Sequence, residues 1–505
     1  MSKITNQLNQ QLKKNSENLI IKDESRGLWF SGEEIKSDVD IIKNSLMDLR
    51  VGHGDVVLVC LENNGAYPVI VQAIWEVGAV VHPISDTTPA IELQQELTEH
   101  QYAAAIVKDD LTTAVTENRA VTIVDDSLVT ALHLTIIRDQ NIVGHMDQIP
   151  TENDLALIMN TSGTTGKPKG VGITHELLKN AVDHDIESHE MTQADTTMIV
   201  MPMFHINAQA VSMLSTRLSG GRIVITKKFS ASRFWNQVRE NGVTWVSVVP
   251  TIVNILLINK KANEAYADDI KLRFVRCSSF ALPLDKLTSF QNRFHTIILE
   301  GYGMTETASQ CTINPFDAPK VGSAGKPFKT ELGILINDKF TKEANQVGEI
   351  AVRGDHVIKD YMEPHPDSFR KDWFLTGDLG YLDEDGYLFV KGRKKDIISR
   401  GGEKVAPAHV ENALSQLDCV KEVAVIGTPD ELYGEAVTAV IIRQDNQRLE
   451  DTRQDILNHA KKSLAVFEQP TKVIFVDDYP RNATGKVLRV KLRNQILEEA
   501  ESIGA

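Results

Sequence analysis

The sequence predicts an α/β protein with a large N-terminal domain of several subdomains, its mostly parallel sheets flanked by helices, and a small α+β C-terminal domain. Three observations carry this reading. Strand-like apolar runs alternate with helix-length segments through the first part of the chain, and a turn-rich, charged stretch interrupts it at 392–402. The length, 505 residues, implies about three structural units at roughly 100–200 residues each. The divisions that follow are 1–391, a connecting segment at 392–400, and 401–505.

The elements can be justified in order. Residues 55–61, Asp-Val-Val-Leu-Val-Cys-Leu, form a buried-strand run, 68–77 suits a helix, and Gly78 opens the return through 78–83. Further strands are expected at 103–107, 121–124 and 155–159, separated by helix-length segments, so crossover helices and parallel pairing are implied. Beyond 402, residues 408–416 read as a helix, 420–426 and 437–442 as strands, and 452–463 as a helix. No fixed-period repeat or low-complexity tract interrupts the pattern.

Composition excludes several classes. Hydrophobic residues make up 42% and charged residues 24%, which rules out disordered, collagen-like and disulfide-scaffold chains. The longest apolar stretch, 246–258, is broken by Ser247, Pro250, Thr251 and Asn254, whereas a membrane span needs about 18 nearly uninterrupted apolar residues. The N-terminus, MSKITNQLNQQLKKN, has no apolar segment behind its lysines, so no secretory signal and a cytoplasmic location are expected. Cys60, Cys277, Cys311 and Cys419 lack CxxC spacing and read as reduced, buried thiols. The formal charge of −15 repels nucleic acid and anionic membranes. Of the 54 basic and 69 acidic residues only 17 and 18 lie in 393–505, so the acidic excess belongs to the larger part.

The most informative motif is Thr161, Ser162, Gly163, Thr164, Thr165, Gly166, Lys167, Pro168 and Lys169, just after the strand run at 155–159. Glycines admit an anion close to the backbone, hydroxyls donate, and lysines add charge: these are the ingredients of a phosphate cradle. The spacing departs from GxxxxGK[ST], so this is not a Walker A loop, and taken alone the segment also fits a flexible surface loop. Four more motifs follow in order: Gly301-Tyr-Gly-Met-Thr-Glu306, Thr376-Gly-Asp378, Gly392-Arg-Lys-Lys-Asp396 and Pro480-Arg-Asn-Ala-Thr-Gly-Lys486.

Together, over about residues 55–490, these five motifs resemble the adenylate-forming superfamily of acyl-CoA synthetases, peptide-synthetase adenylation domains and luciferases. The resemblance implies an AMP-forming acid–thiol ligase using ATP, Mg2+ and coenzyme A, as a monomer or homodimer without nucleic-acid partners. Thr161 to Lys169 would wrap the ATP phosphates, Glu306 would hold the magnesium, and Thr305 would touch the α-phosphate. Gly301, Tyr302, Gly303 and Met304 would floor the adenine pocket, with Tyr302 stacking on the base. Ser279, Phe280 and Ala281 would line the adenine, although the usual glycine is missing there. Asp378 would accept the ribose hydroxyls and Arg393 would contact ribose or phosphate.

The same resemblance implies a mobile lid. Lys486 would bridge the carboxylate and α-phosphate during adenylation, and Lys395 would be the pivot of the hinge. Rotation would withdraw Lys486 and present Gly401, Gly402 and Glu403 for CoA attack. Phe204 and His205, in Pro202-Met-Phe-His205, match the PxFH pattern that gates the acyl site of CoA ligases, with His205 in a catalytic role. Asn207, Gln209, Ser278 and Gln310 would line the acyl pocket, whose amides demand partners.

A subfamily likeness to crotonobetaine/carnitine-CoA ligases comes from FHINAQ, the 229–238 stretch and RGGEKV from Arg400; oxalyl- and medium-chain acyl-CoA synthetases are alternatives. The acid is therefore expected to be a short polar acid or a medium- to long-chain fatty acid. The chain ends soon after Lys486, which favours free CoA as acceptor. Two other classes remain open: an adenylation enzyme loading a carrier protein, and a non-catalytic nucleotide-binding regulator.

Overall fold

The computed structural model describes residues 1–117, 119–131, 133–141, 150–161, 169–280, 282–444, 449–481 and 485–504. The expected α/β architecture is present, carried by four sheets. The largest runs in the order Lys326–Pro327, Thr312–Ile313, Ile298–Tyr302, Phe274–Cys277, Trp245–Val248, Thr196–Ile199, Arg222–Ile225, Leu19–Asp23 and Leu28–Ser31. Its centre, from Leu19–Asp23 to Ile298–Tyr302, is parallel throughout. The apolar stretch at 246–258 is divided within it: Trp245–Val248 is a buried central strand, and Pro250 opens the helix Pro250–Ile258 at the position proline tolerates best.

A seven-stranded sheet joins Val56–Cys60, Val80–Pro83 and Leu155–Thr161 in parallel. Its edges are antiparallel, because Val121–Asp126 returns on Leu134–Asp139 and Leu155–Thr161 on Lys169–Thr174. The strand at 121–124 is thus part of a hairpin instead of a crossover unit.

The third sheet was not anticipated. Lys339–Thr341, Glu331–Ile336, Gly348–Arg353, Phe369–Arg370, Trp373–Leu382 and Leu388–Arg393 pair entirely antiparallel. Trp373–Leu382 shows the cause: alternate residues are buried, the two-residue period of a strand with one solvated face.

One apolar core spans residues from Ile4 to Leu388 and joins the three large sheets. Residues 398–496 build separate cores around a fourth, five-stranded sheet, in which Gly434–Arg443 pairs with Val420–Asp430 over their length. All four cysteines are buried free thiols. Among the described residues no helix is long and apolar enough to cross a membrane.

Candidate active site

Ligands of open α/β sheets collect at the carboxyl ends of parallel strands. Here Ile298–Tyr302 delivers Gly301 and Tyr302, and the adjacent Phe274–Cys277 leads into Ser279 and Phe280. The antiparallel pairing of Trp373–Leu382 with Leu388–Arg393 sets Asp378 opposite Arg393. With Gly303, Met304, Gly485 and Lys486, these residues line one cavity of about 350 Å³ between the large body and the C-terminal domain.

Asp378, one of several charged residues that line this cavity, is 5% exposed. Arg393 Nε donates to its Oδ1 at 2.8 Å, and the Tyr302 hydroxyl donates to its Oδ2 at 2.6 Å. Burial pushes the Asp378 carboxyl above its ordinary range, while Arg393 and Tyr302 pull it back. The Tyr302 hydroxyl thus orients the carboxylate. Burial lowers the Lys486 ammonium, Arg393 pushes the same way, and Asp378 opposes both. Arg481 donates to the Gly485 carbonyl at 3.1 Å and to Glu422 Oε2 at 2.7 Å, which fixes the backbone beside Lys486.

Glu306 sits in the turn Thr305–Thr307 and is 9% exposed. The Tyr361 hydroxyl donates to its Oε1 at 2.8 Å, and Lys169 Nζ lies 4.6 Å from the centre of the Tyr361 ring. Backbone bonds from Ile358 to Glu306 and from Met362 to Gly170, both 2.9 Å, tie the Tyr361 segment to both sides. Among the described residues Glu306 has no ion pair within 4 Å, so a buried carboxylate stands ready for a cation.

Thr161 and Lys169 are paired across the hairpin that carries the phosphate motif. Ser162, Gly163, Thr164, Thr165, Gly166 and Lys167 lie outside the described residues, as does Ala281. At the missing glycine, Ser279 adopts φ +83°, a left-handed conformation that glycine reaches without cost. Gly303 is demanded by packing: a Cβ there would lie 2.2 Å from the Ser309 carbonyl oxygen.

Among the residues expected at the acyl pocket, the Phe204 and His205 rings pack 4.1 Å apart, and burial pushes the His205 imidazole down to about 4, so it is neutral at pH 7. The π-helical turn Asn207–Leu214 holds both amides singled out in the sequence. Asn207 is satisfied, donating to Ser278 Oγ at 3.1 Å and accepting from Ser247 Oγ at 2.9 Å. Gln209 is fully buried, and neither end of its amide has a hydrogen-bond partner among the described residues. Gln310 donates to Ser188 Oγ at 2.7 Å.

The structure does not bring every expected residue to the cavity. Lys395 lies in the turn Lys394–Asp396, and Gly401, Gly402 and Glu403 are exposed and outside the cavity lining. Sequence reasoning missed Tyr361 and Arg276, and it gave no role to Arg481 within the 480–486 motif. An arginine inside the apolar strand run at 274–277 was a visible signal for Arg276, whereas Tyr361 has no local mark and meets Glu306 only through tertiary packing.

Comparison with known proteins identifies the architecture. Residues 8–362 match the AMP-binding enzyme family model, and residues 409–486 match the AMP-binding enzyme C-terminal domain. The chain is 32% identical to an oxalate–CoA ligase of Arabidopsis thaliana, over 90% of each chain. It is also 32% identical to a sulfoacetate–CoA ligase of Cupriavidus necator, over 94% of each. Among solved structures, the o-succinylbenzoate coenzyme A synthetase of Bacillus subtilis in complex with ATP and magnesium ion superposes with a TM-score of 0.81 at 26% identity, over 96% of this chain and 99% of that one. The chain thus belongs to the AMP-binding enzyme family, among its AMP-forming acid–thiol ligases.

Proposed function

We propose that the chain activates a short polar carboxylic acid with ATP, forming an acyl-adenylate and pyrophosphate, and then transfers the acyl group to the thiol of CoA with release of AMP. The observation that carries this is Lys486 entering, from the C-terminal domain, the cavity lined by Tyr302, Asp378 and Arg393. It is the arrangement the first half-reaction needs.

In that step a carboxylate oxygen attacks the α-phosphorus and pyrophosphate leaves. Both reactants are anionic, so a fixed ammonium between them lowers the barrier more than a mobile one, because it needs no reorganisation as charge shifts. Lys486 supplies that charge, and Arg481 holds its backbone in place. Asp378 takes the ribose hydroxyls on its remaining lone pairs, oriented by Arg393 and Tyr302. Thr305 and the 161–169 motif meet the phosphates, and Glu306 would hold a magnesium ion, which supplies charge neutralisation for the departing pyrophosphate.

For the second step the C-terminal domain turns about Lys395, Lys486 withdraws, and Gly401, Gly402 and Glu403 approach the acyl carbonyl. Exposure of 401–403 in the present arrangement supports two positions of one domain. The acid is read as short and polar because Asn207, Ser247, Ser278 and Gln310 form a hydrogen-bonded polar cluster on the acyl side, and the buried Gln209 amide beside Asn207 has no partner among the described residues; an aliphatic chain placed there would leave that amide unsatisfied. Two relatives that act on small acids, oxalate and sulfoacetate, agree with this.

Incubation with ATP, Mg2+, CoA and a panel of acids should yield AMP and pyrophosphate with at least one short polar acid. Formation of ADP and phosphate, or equal turnover with acyl carrier protein and free CoA, would contradict the reading.

A further inference from the structure

Arg276 occupies an unusual position for a guanidinium. It projects from the strand Phe274–Cys277 in the middle of the largest sheet and is 2% exposed. Its nearest charged neighbour on the same strand run, Arg273, is neutralised by Asp195 at 3.2 Å; Arg276 has no carboxylate within 4 Å among the described residues. Its partners are neutral: Nη1 donates to Ser278 Oγ at 2.8 Å and to Ser247 Oγ at 3.5 Å, and Nη2 to Gln310 Oε1 at 3.5 Å. The two contacts at 3.5 Å are at the edge of hydrogen-bonding range, and Nε has no partner among the described residues.

Asp185 is close enough to interact with Arg276 electrostatically, yet burial pushes its carboxyl up to about 7 despite that cation. It is therefore an incomplete counter-ion at neutral pH. A buried cation without a full counter-charge is costly, and an arginine does not escape by losing its proton.

The surroundings indicate where an anion would enter. Ser278, Ser247 and Gln310 connect the guanidinium to Asn207 and Ser188, and Ser278 adjoins Ser279 and Phe280 on the cavity wall. A Cβ on Gly301 would lie 3.8 Å from Arg276 Nη2, so the guanidinium abuts the backbone that floors the nucleotide cavity.

Resting on the ligase reading above, we propose that Arg276 is the specificity residue for a second anionic group on the acid, making the substrate a two- or three-carbon carboxylic acid that bears a further carboxylate or sulfonate. The planar fork suits either group, and the Ser278 and Ser247 hydroxyls flank it. A neutral acyl tail at this place would leave the cation without a full counter-charge.

The test compares pyrophosphate release with oxalate, malonate and sulfoacetate against acetate, butyrate and octanoate. The wild type should favour at least one dianionic acid over the neutral-tailed acids by about 100-fold in kcat/KM, and the preferred member distinguishes carboxylate from sulfonate. Arg276→Gln should erase that preference mainly through KM, and Arg276→Lys should restore part of it, with circular dichroism confirming the fold of each. Release with butyrate or octanoate favoured over every dianionic acid overturns the proposal and leaves the ligase reading intact, even if the variants fail to fold. Equal losses for dianionic and neutral-tailed acids in a folded Arg276→Gln also overturn it. No release with any acid removes the ligase reading and this proposal with it.

Discussion

The Tyr361 hydroxyl donates a 2.8 Å hydrogen bond to Oε1 of Glu306, across 55 residues of sequence. The same phenol ring lies beneath Lys169, so one side chain links the strand leaving the phosphate motif to the carboxylate proposed to hold magnesium. Tyr361→Phe keeps the ring and removes the bond. A hydrogen bond to a charged group contributes about 1.5–3 kcal/mol, so kcat/KM should fall on the order of 10- to 100-fold, with a raised Mg2+ requirement. Pyrophosphate release titrated with Mg2+ checks this; an unchanged Mg2+ dependence would show that Tyr361 does not position Glu306.

Asp378 is held from two sides, by Tyr302 and Arg393, and both bonds need its carboxylate form. Asp378→Asn keeps the size but loses the charge that receives Arg393. The expected result is a large rise in the KM for ATP with a smaller effect on the KM for CoA. Steady-state kinetics with each co-substrate varied in turn separates these. A change confined to CoA would place Asp378 elsewhere in the reaction.

Ser279 carries a left-handed φ of +83° at a position where glycine has no such strain. Ser279→Gly should stabilise the protein by about 1 kcal/mol, because that strain exceeds the entropy glycine adds to the unfolded chain. Thermal unfolding with and without ATP reads it. Destabilisation would mean that the serine hydroxyl makes up for its own backbone strain.

Buried histidines set an acid limit on stability. Burial pushes His175, His205 and His356 down to about 4 and His189 to about 3, below their ordinary value of 6.5. Between these values the unfolded chain binds more protons than the folded one, so stability is fully present above about pH 6.5 and falls as the pH drops toward 4, by up to about 1.4 kcal/mol per pH unit for each group. Urea unfolding at pH 7.5 and 5.5 should show the loss. Equal stability at the two values would contradict it.

Much of this was legible in the sequence because the candidate nucleotide-site residues are local. Tyr302, Glu306, Asp378 and Lys486 each sit in a short, ordered motif whose residue types suit phosphate, ribose or metal, and the folded chain gathers three of them around one cavity. The expected helix at 68–77 and strand at 55–61 correspond to Tyr67–Glu76 and Val56–Cys60, where long apolar patterns leave little choice. What escaped depends on tertiary packing. The antiparallel sheet at 331–393 is made of short, half-exposed strands whose pairing no helix-length spacing announces. Arg276 and Asp185 sit in no recognisable motif, and only the sheet and the helix His175–Ser188 bury them near one another. Gln209 was expected to find a partner and has none among the described residues, which places it among groups that a bound ligand could complete.

The central claim is that one domain serves two reactions, with Lys486 acting only in the first. Single-turnover kinetics of Lys486→Ala tests it most directly, measuring acyl-adenylate formation from acid and ATP, and thioester formation from supplied acyl-adenylate and CoA. Adenylation should slow by about 10²- to 10³-fold while thioester formation keeps the wild-type rate. Equal loss of both half-reactions, or loss of thioester formation alone, would contradict the account.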